Sequence, residues 1–310
     1  MARALHVVTG KGGVGKSTVA AALAIGLAGA GRRVLAIELG QAAGLCRALA
    51  TRPMAPGAIA PVLTTPGLSV AYFDGAVALA EYLTRRMRLG RLGRAVMAHP
   101  LYRGFVAAAP GVQALLAMGK IRDELVLQRL GAGPRWDAVV VDAGASGHAL
   151  EHLRMPAAAA ATFTGGLVHR EAEVNARLLA DPAITAIHVV ATPEELPVAE
   201  AGQVIARLRA LGLPIGALYA NLCRPVPPAD VAAALAALDA RGDACGDALA
   251  AVARRAVVVA GEQAGALAGL DGLGATVTRL PRRWLPDELA LARALAPAVL
   301  AAAITEEPAP

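Results

Sequence analysis

The sequence predicts an α/β fold: a mostly parallel sheet flanked by helices, with a helical insertion. Three observations carry this. Short β-branched runs such as Ala4–Thr9, Arg33–Glu38 and Trp136–Val141 alternate with long alanine-rich helical stretches. The first two strands enclose a glycine loop and an apolar helix, a βαβ unit of about 35 residues whose right-handed crossover makes the strands parallel. At 56% hydrophobic and 17% charged, the 310 residues can bury a large core and are too apolar for extended disorder.

The elements follow in order. Ala4–Thr9 is the first strand, and a helix runs from about Lys16 to Ala30, stopped by Gly31. Arg33–Glu38 is the second strand. Residues 41–67, rich in Pro, Gly and Ala, form loop with a short helix. Ser69–Phe73 is a strand ending at Asp74. Residues 75–130 are helical and irregular, carrying Leu79, Leu83, Met87, Leu92, Val96 and Met97, then Val112, Leu115, Leu116, Met118, Ile121 and Leu125. This is a helical insertion between sheet strands.

Trp136–Val141 is a strand ending at Asp142. Ile184–Ala191 is a strand, and Pro193–Leu211 a helix with proline at its entry. Pro214–Ala220 is a strand. Residues 229–254 are helical, Ala256–Val259 and Thr276–Leu280 are short strands, and 286–303 is the last helix. No Ser/Gly linker divides the chain, so one domain over 1–310 is expected, with the insertion at 75–130 inside it.

Composition narrows the function classes. The net charge is +6, and all basic residues but Lys11, Lys16 and Lys120 are arginine, which gives a solvated basic surface and no case for nucleic acid. Aromatics at 3% leave no base-stacking platform. Cys46, Cys223 and Cys245 form no Cys-x-x-Cys pair, so no zinc or iron–sulfur site is expected, and a reducing, cytoplasmic setting is. No basic-then-apolar leader precedes the first strand. Stable membrane insertion is not expected; the nearest apolar run, residues 104–119, is broken by Pro110 and Gln113.

The chemistry lies in the first loop. Gly10-Lys11-Gly12-Gly13-Val14-Gly15-Lys16-Ser17-Thr18 matches G-x-x-x-x-G-K-[ST] after a buried strand and before a helix. Glycines let successive backbone N–H groups approach phosphate oxygens, and the helix N-terminus adds positive charge. Lys16 is placed for the β- and γ-phosphates and the Ser17 hydroxyl for Mg²⁺. Asp142, ending a Val-Val-Val strand, is the second Mg²⁺ candidate. The fold class is therefore a P-loop NTPase.

Lys11 before the paired glycines gives the deviant form of this loop, and the chain resembles the MinD/ParA/ArsA superclass of ATPases. Asp142-Ala-Gly-Ala-Ser-Gly147-His148, followed by Leu153-Arg-Met-Pro156, is similar to the second switch of the ArsA/Get-type members. Pro193-Glu-Glu-Leu196 with Glu200 is similar to their P-E-x-L-x-x-x-E segment. Leu79–Leu83 and Ala109–Ile121 look like the helical segment of bacterial ArsA-like proteins.

The resemblance implies ATP and Mg²⁺ as cofactors, a homodimer in which Lys11 reaches the partner's phosphates, and a Gly147-His148 switch. It implies adenine recognition by Asn221, whose amide offers donor and acceptor, under a loop at Pro281. It also implies that ATP binding and hydrolysis are coupled to a partner or client. Met87, Met97 and Met118 would give a groove in the insertion an adaptable lining for an apolar client helix; packing the insertion's own core is their other use.

Two departures matter. The family's first switch reads D-P-A-H-S-L, and this chain has Gly40-Gln-Ala-Ala-Gly-Leu45, so Gly40 replaces the carboxylate that orients the attacking water. Glu38 is the nearest substitute and joins Lys11, Lys16 and Asp142 as a catalytic candidate. The alternative is an ATP-binding regulatory or scaffold module with little or no hydrolysis. The zinc-bridging and arsenite-binding cysteines of family members are also missing. A partitioning ATPase is disfavoured, because residues 288–304 carry Arg293 as their only basic side chain.

Overall fold

The computed structural model describes residues 3–39, 44–73, 110–127 and 135–305. Its centre is an eight-stranded sheet in the order β3-β4-β2-β5-β1-β6-β7-β8. The strands are β1 (Leu5–Gly10), β2 (Val34–Leu39), β3 (Ile59–Pro61), β4 (Leu68–Phe73), β5 (Ala138–Ala145), β6 (Thr185–Ala191), β7 (Ile215–Cys223) and β8 (Val277–Pro281). All neighbours pair in parallel except β3, which runs antiparallel to β4 at the edge. Strands β1, β2 and β6 are buried along their whole length, as parallel strands covered on both faces must be.

The helices are α1 (Lys16–Gly29), α2 (Gly44–Ala48), α3 (Pro110–Arg122), α4 (Ser146–Thr162), α5 (Gly166–Ala180), α6 (Glu195–Ala210), α7 (Val231–Asp239), α8 (Ala244–Asp271) and α9 (Glu288–Thr305). A π-helical turn, Asp123–Leu127, continues α3. Side-chain alternation along the strands divides the core in two. Val8, Val140 and Tyr219 face α1, α2 and α9. Val7, Val141, Ile187 and Leu218 face α3, α4, α5, α6 and α8. The chain is thus an α/β fold of the P-loop NTPase class.

Two expectations need correction. Ala256–Val259 is not a strand but the middle of the 28-residue helix α8. Its three valines are β-branched, yet no turn residue bounds them, and the alanines around them favour helix. β3 was not anticipated, since three residues, two partly buried and Pro61 exposed, give no periodic signal. α9 is a second apolar run beside the expected one at 104–119, whose residues 104–109 lie outside the described residues. Among the described residues α9 alone is long and apolar enough to cross a bilayer, and it packs Ala292, Leu295, Ala296, Val299 and Ala303 into the core.

Of residues 75–130, α3 is helix at 110–122 as expected, while 75–109 and 128–130, with Met87 and Met97, lie outside the described residues. Met118 is 3% exposed in the core beneath the sheet, so it lines no groove.

Candidate functional site

The site forms at the carboxyl ends of β1, β5 and β2, where open α/β sheets place their ligands. β1 runs out at Gly10 and the chain loops over 11–15 into α1. Gly12 and Gly13 form the exposed crest, and Val14 anchors the loop in the core at 2% exposure. Gly15 closes the loop at φ 90°. A side chain there would meet both left-handed strain and the Asn221 amide. The first turn of α1 holds no acidic residue of its own and no side chain caps it.

Lys16 bends back over this loop, its Nζ donating to the Lys11 carbonyl at 2.8 Å. Burial lowers the Lys16 pKa, with the charge of Asp142 opposing. Beneath it the Ser17 Oγ donates to Asp142 Oδ2 at 2.5 Å. Asp142 is 3% exposed. Its other oxygen, Oδ1, is buried and accepts no hydrogen bond from the described residues. Burial raises the Asp142 pKa; the Ser17 hydroxyl pulls it down, the charge of Glu38 pushes it further up, and the Lys16 charge and the Gly144 backbone N–H pull it down.

Glu38 is in register with Asp142 across the β2–β5 pair, so sheet geometry sets two carboxylates side by side. Glu38 Oε1 accepts the Gly44 N–H at 2.8 Å. Sequence reasoning missed this role of Gly44. It starts α2 against the site, and a Cβ there would strike the Ser17 hydroxyl. Gly40 lies outside the described residues.

The remaining candidates divide. Asn221, near the end of β7 and 3% exposed, donates from Nδ2 to the Val14 carbonyl at 2.8 Å. It therefore braces the loop from the side. Pro281 ends β8 beside it, in register with Cys223, and Arg282 N–H donates to the Cys223 carbonyl at 2.7 Å. Gly147 and His148 are exposed in the first turn of α4, directly after β5. Lys11 turns toward α6 and forms an ion pair with Glu200 at 3.1 Å. The residues brought together at the loop are thus Gly10–Ser17, Glu38, Gly44, Asp142 and Asn221; Thr18 follows on the first turn of α1.

An orphaned, buried carboxylate oxygen next to a serine hydroxyl suits a hard, oxygen-loving divalent ion. The donor set fits Mg²⁺, with Ser17 and Asp142 as the residues that would hold it.

A family model described as anion-transporting ATPase matches residues 4–172, from the first strand to the middle of α5. The chain belongs to this family. The ATPase BagA of Mycobacterium tuberculosis is 36% identical over 234 residues, covering 74% of this chain and 68% of that protein. Protein Rv2184c of the same species is 29% identical over 264 residues, covering 70% of this chain and 58% of that one. The mostly parallel sheet flanked by helices is consistent with this family, and the family supports nucleotide binding and ATPase activity for this chain.

Proposed function

We propose that this chain binds Mg·ATP at the loop 10–18 and hydrolyses it as a homodimer, coupling nucleotide state to a partner or client. The observation that carries the reading is the Ser17–Asp142 pair, with Asp142 Oδ1 buried and unpaired among the described residues at the foot of the loop. One domain over 1–310, with the insertion 75–130 inside it, is part of the same reading. Three free cysteines agree with work in a reducing cytoplasm.

Each residue then has a role. The amides of 12–16 and the open end of α1 take up phosphate charge. Lys16 leaves the Lys11 carbonyl for the β- and γ-phosphates. Ser17 and Asp142 hold Mg²⁺, which when bound neutralises charge developing on the phosphates. Glu38, one strand away, orients water in place of the carboxylate absent at Gly40. Asn221 holds Val14, and so the loop, in shape beside the base. Lys11 serves the partner's phosphates. His148 stands where a change at Asp142 reaches α4.

Glu38 also favours a second reading. Its Oε1 holds the Gly44 amide, which ties it to α2 rather than to water. In that case the chain loads ATP and turns over negligibly, acting as a regulator or scaffold. Single-turnover hydrolysis with Mg²⁺, with Lys16→Ala as control, separates the two. Phosphate release lost in the control supports the ATPase. Tight ATP binding without release supports the scaffold. Retained tight binding in Lys16→Ala overturns both.

A further inference from the structure

Glu200 lies outside the phosphate loop, in the second turn of α6. Its Oε1 is nonetheless 3.1 Å from Lys11 Nζ. α6 follows β6, and β6 pairs with β1 all the way to Gly10, so the start of α6 overlooks the loop. Lys11 is held at both ends. Its side chain is paired with Glu200, and its carbonyl accepts Lys16 Nζ. The ammonium is thereby aimed across its own chain.

We propose that Glu200 is a positioning residue for Lys11. It keeps the ammonium on its own chain, and nucleotide-dependent pairing of two chains moves Lys11 from this carboxylate to the partner's phosphates. This rests on the reading of Lys11 as the residue that serves the partner. The pair is suited to such an exchange. Its side chains are 29% and 31% exposed, so solvent screens it and a single carboxylate competes weakly with a polyphosphate. A half-exposed pair biases an equilibrium by up to about fivefold. That is enough to disfavour pairing without nucleotide and too little to prevent it.

The test is sedimentation velocity of the full chain with Mg²⁺ and a slowly hydrolysed ATP analogue. The variants are Glu200→Gln, Glu200→Asp, Lys11→Ala and the double variant Glu200→Gln/Lys11→Ala. Glu200→Gln is expected to lower the dissociation constant of the nucleotide-bound pair about threefold at low salt, and the gain fades at about 0.5 M salt. Glu200→Asp keeps the charge and stays close to wild type. Glu200→Gln adds nothing in the Lys11→Ala background. Unchanged or weaker pairing of Glu200→Gln, with pairing impaired in Lys11→Ala, overturns the proposal and leaves the role of Lys11 intact. A Glu200→Gln gain that persists without Lys11 also overturns it. Wild-type pairing in Lys11→Ala removes the reading of Lys11, and the proposal with it.

Discussion

Ser17 donates its hydroxyl proton to Asp142 across 2.5 Å, joining the first turn of α1 to the end of β5. The carboxylate so engaged is buried, and its protonation is favoured by that burial and by Glu38 alongside. Two buried acids stand in register here, Asp142 with Oδ1 outside any hydrogen bond of the described residues and Glu38 one strand away, and their charges oppose each other. A divalent cation would relieve both.

Asp142→Asn tests this. The amide keeps the shape and removes the charge. Single-turnover phosphate release is expected to fall at least about 100-fold, the scale of losing one preorganised charge-stabilising group. Mg²⁺ will no longer tighten nucleotide binding. The nucleotide-free protein, relieved of a buried charge, is expected to melt no lower than wild type. Retained release would remove Asp142 from the site.

Asn221 is expected to act on the loop as well as on the base. Its Nδ2 holds the Val14 carbonyl, so Asn221→Ala frees a buried carbonyl and opens space beside Gly15. One such bond is worth about 1 kcal/mol, or roughly a fivefold loss of affinity. Because the loop grips phosphate, the loss should extend to inorganic pyrophosphate. Titration of both ligands checks this. A loss confined to ATP, with pyrophosphate bound as before, would make Asn221 a base-recognition residue only.

Contiguous features were legible in the sequence. The loop 10–18 and Asp142 carry their chemistry in local spacing, and the strands around them are apolar runs bounded by turn residues. What escaped was long-range. Nothing in the spacing links Asn221 to Val14, Glu200 to Lys11 or Gly44 to Ser17, because sheet order alone brings them together. Glu38 was found as a nearby carboxylate, yet its register with Asp142 needs the β2–β5 pairing. The misreading of Ala256–Val259 has a different cause. Local β-propensity is weak against a long alanine-rich helix, and tertiary contacts of Ala250, Gln263 and Leu267 fix α8 on both sides of it.

His6 and His188 give a pH prediction. The Ala217 N–H donates to His188 Nδ1 at 3.1 Å, which puts the His188 proton on Nε2. That nitrogen lies 3.1 Å from His6 Nδ1 and donates to it. Both rings are buried and neutral. Burial, then the charge of Arg32, lowers the His6 pKa to about 3, with an Arg3 backbone contact opposing and the Arg3 charge adding. Burial, then His6, lowers His188 well below its ordinary value. The unfolded chain takes up these protons near pH 6.5 and the folded chain does not. Stability is therefore level above about pH 6.5 and falls below it, by up to about 1.4 kcal/mol per pH unit for each ring. Urea unfolding at pH 7.5, 6.5 and 5.5 reads this slope. A flat profile would mean that the pair charges in place.

Arg122 anchors α3 to α5. Its NH2 donates to Glu171 at 2.5 Å, and the Arg122 side chain is 7% exposed against 18% for Glu171. Asp123 shares the guanidinium at 3.2 Å. Nearby, Glu124 accepts the Trp136 Nε1 proton at 3.3 Å and pairs with Lys120 at 3.5 Å. The helical layer over this sheet face is thus held partly by buried charge. Removing the guanidinium takes the buried cation away from both Glu171 and Asp123, so Arg122→Ala is expected to cost about 3 kcal/mol. Replacing both, as Arg122→Met with Glu171→Leu, should recover most of that, because an apolar pair needs no compensation. Urea midpoints of the single and double variants provide the measurement. Nucleotide affinity should not change in either, since Ser17, Asp142 and the loop stand on other elements. A single variant as stable as wild type would show that the ion pair is a surface contact of no consequence.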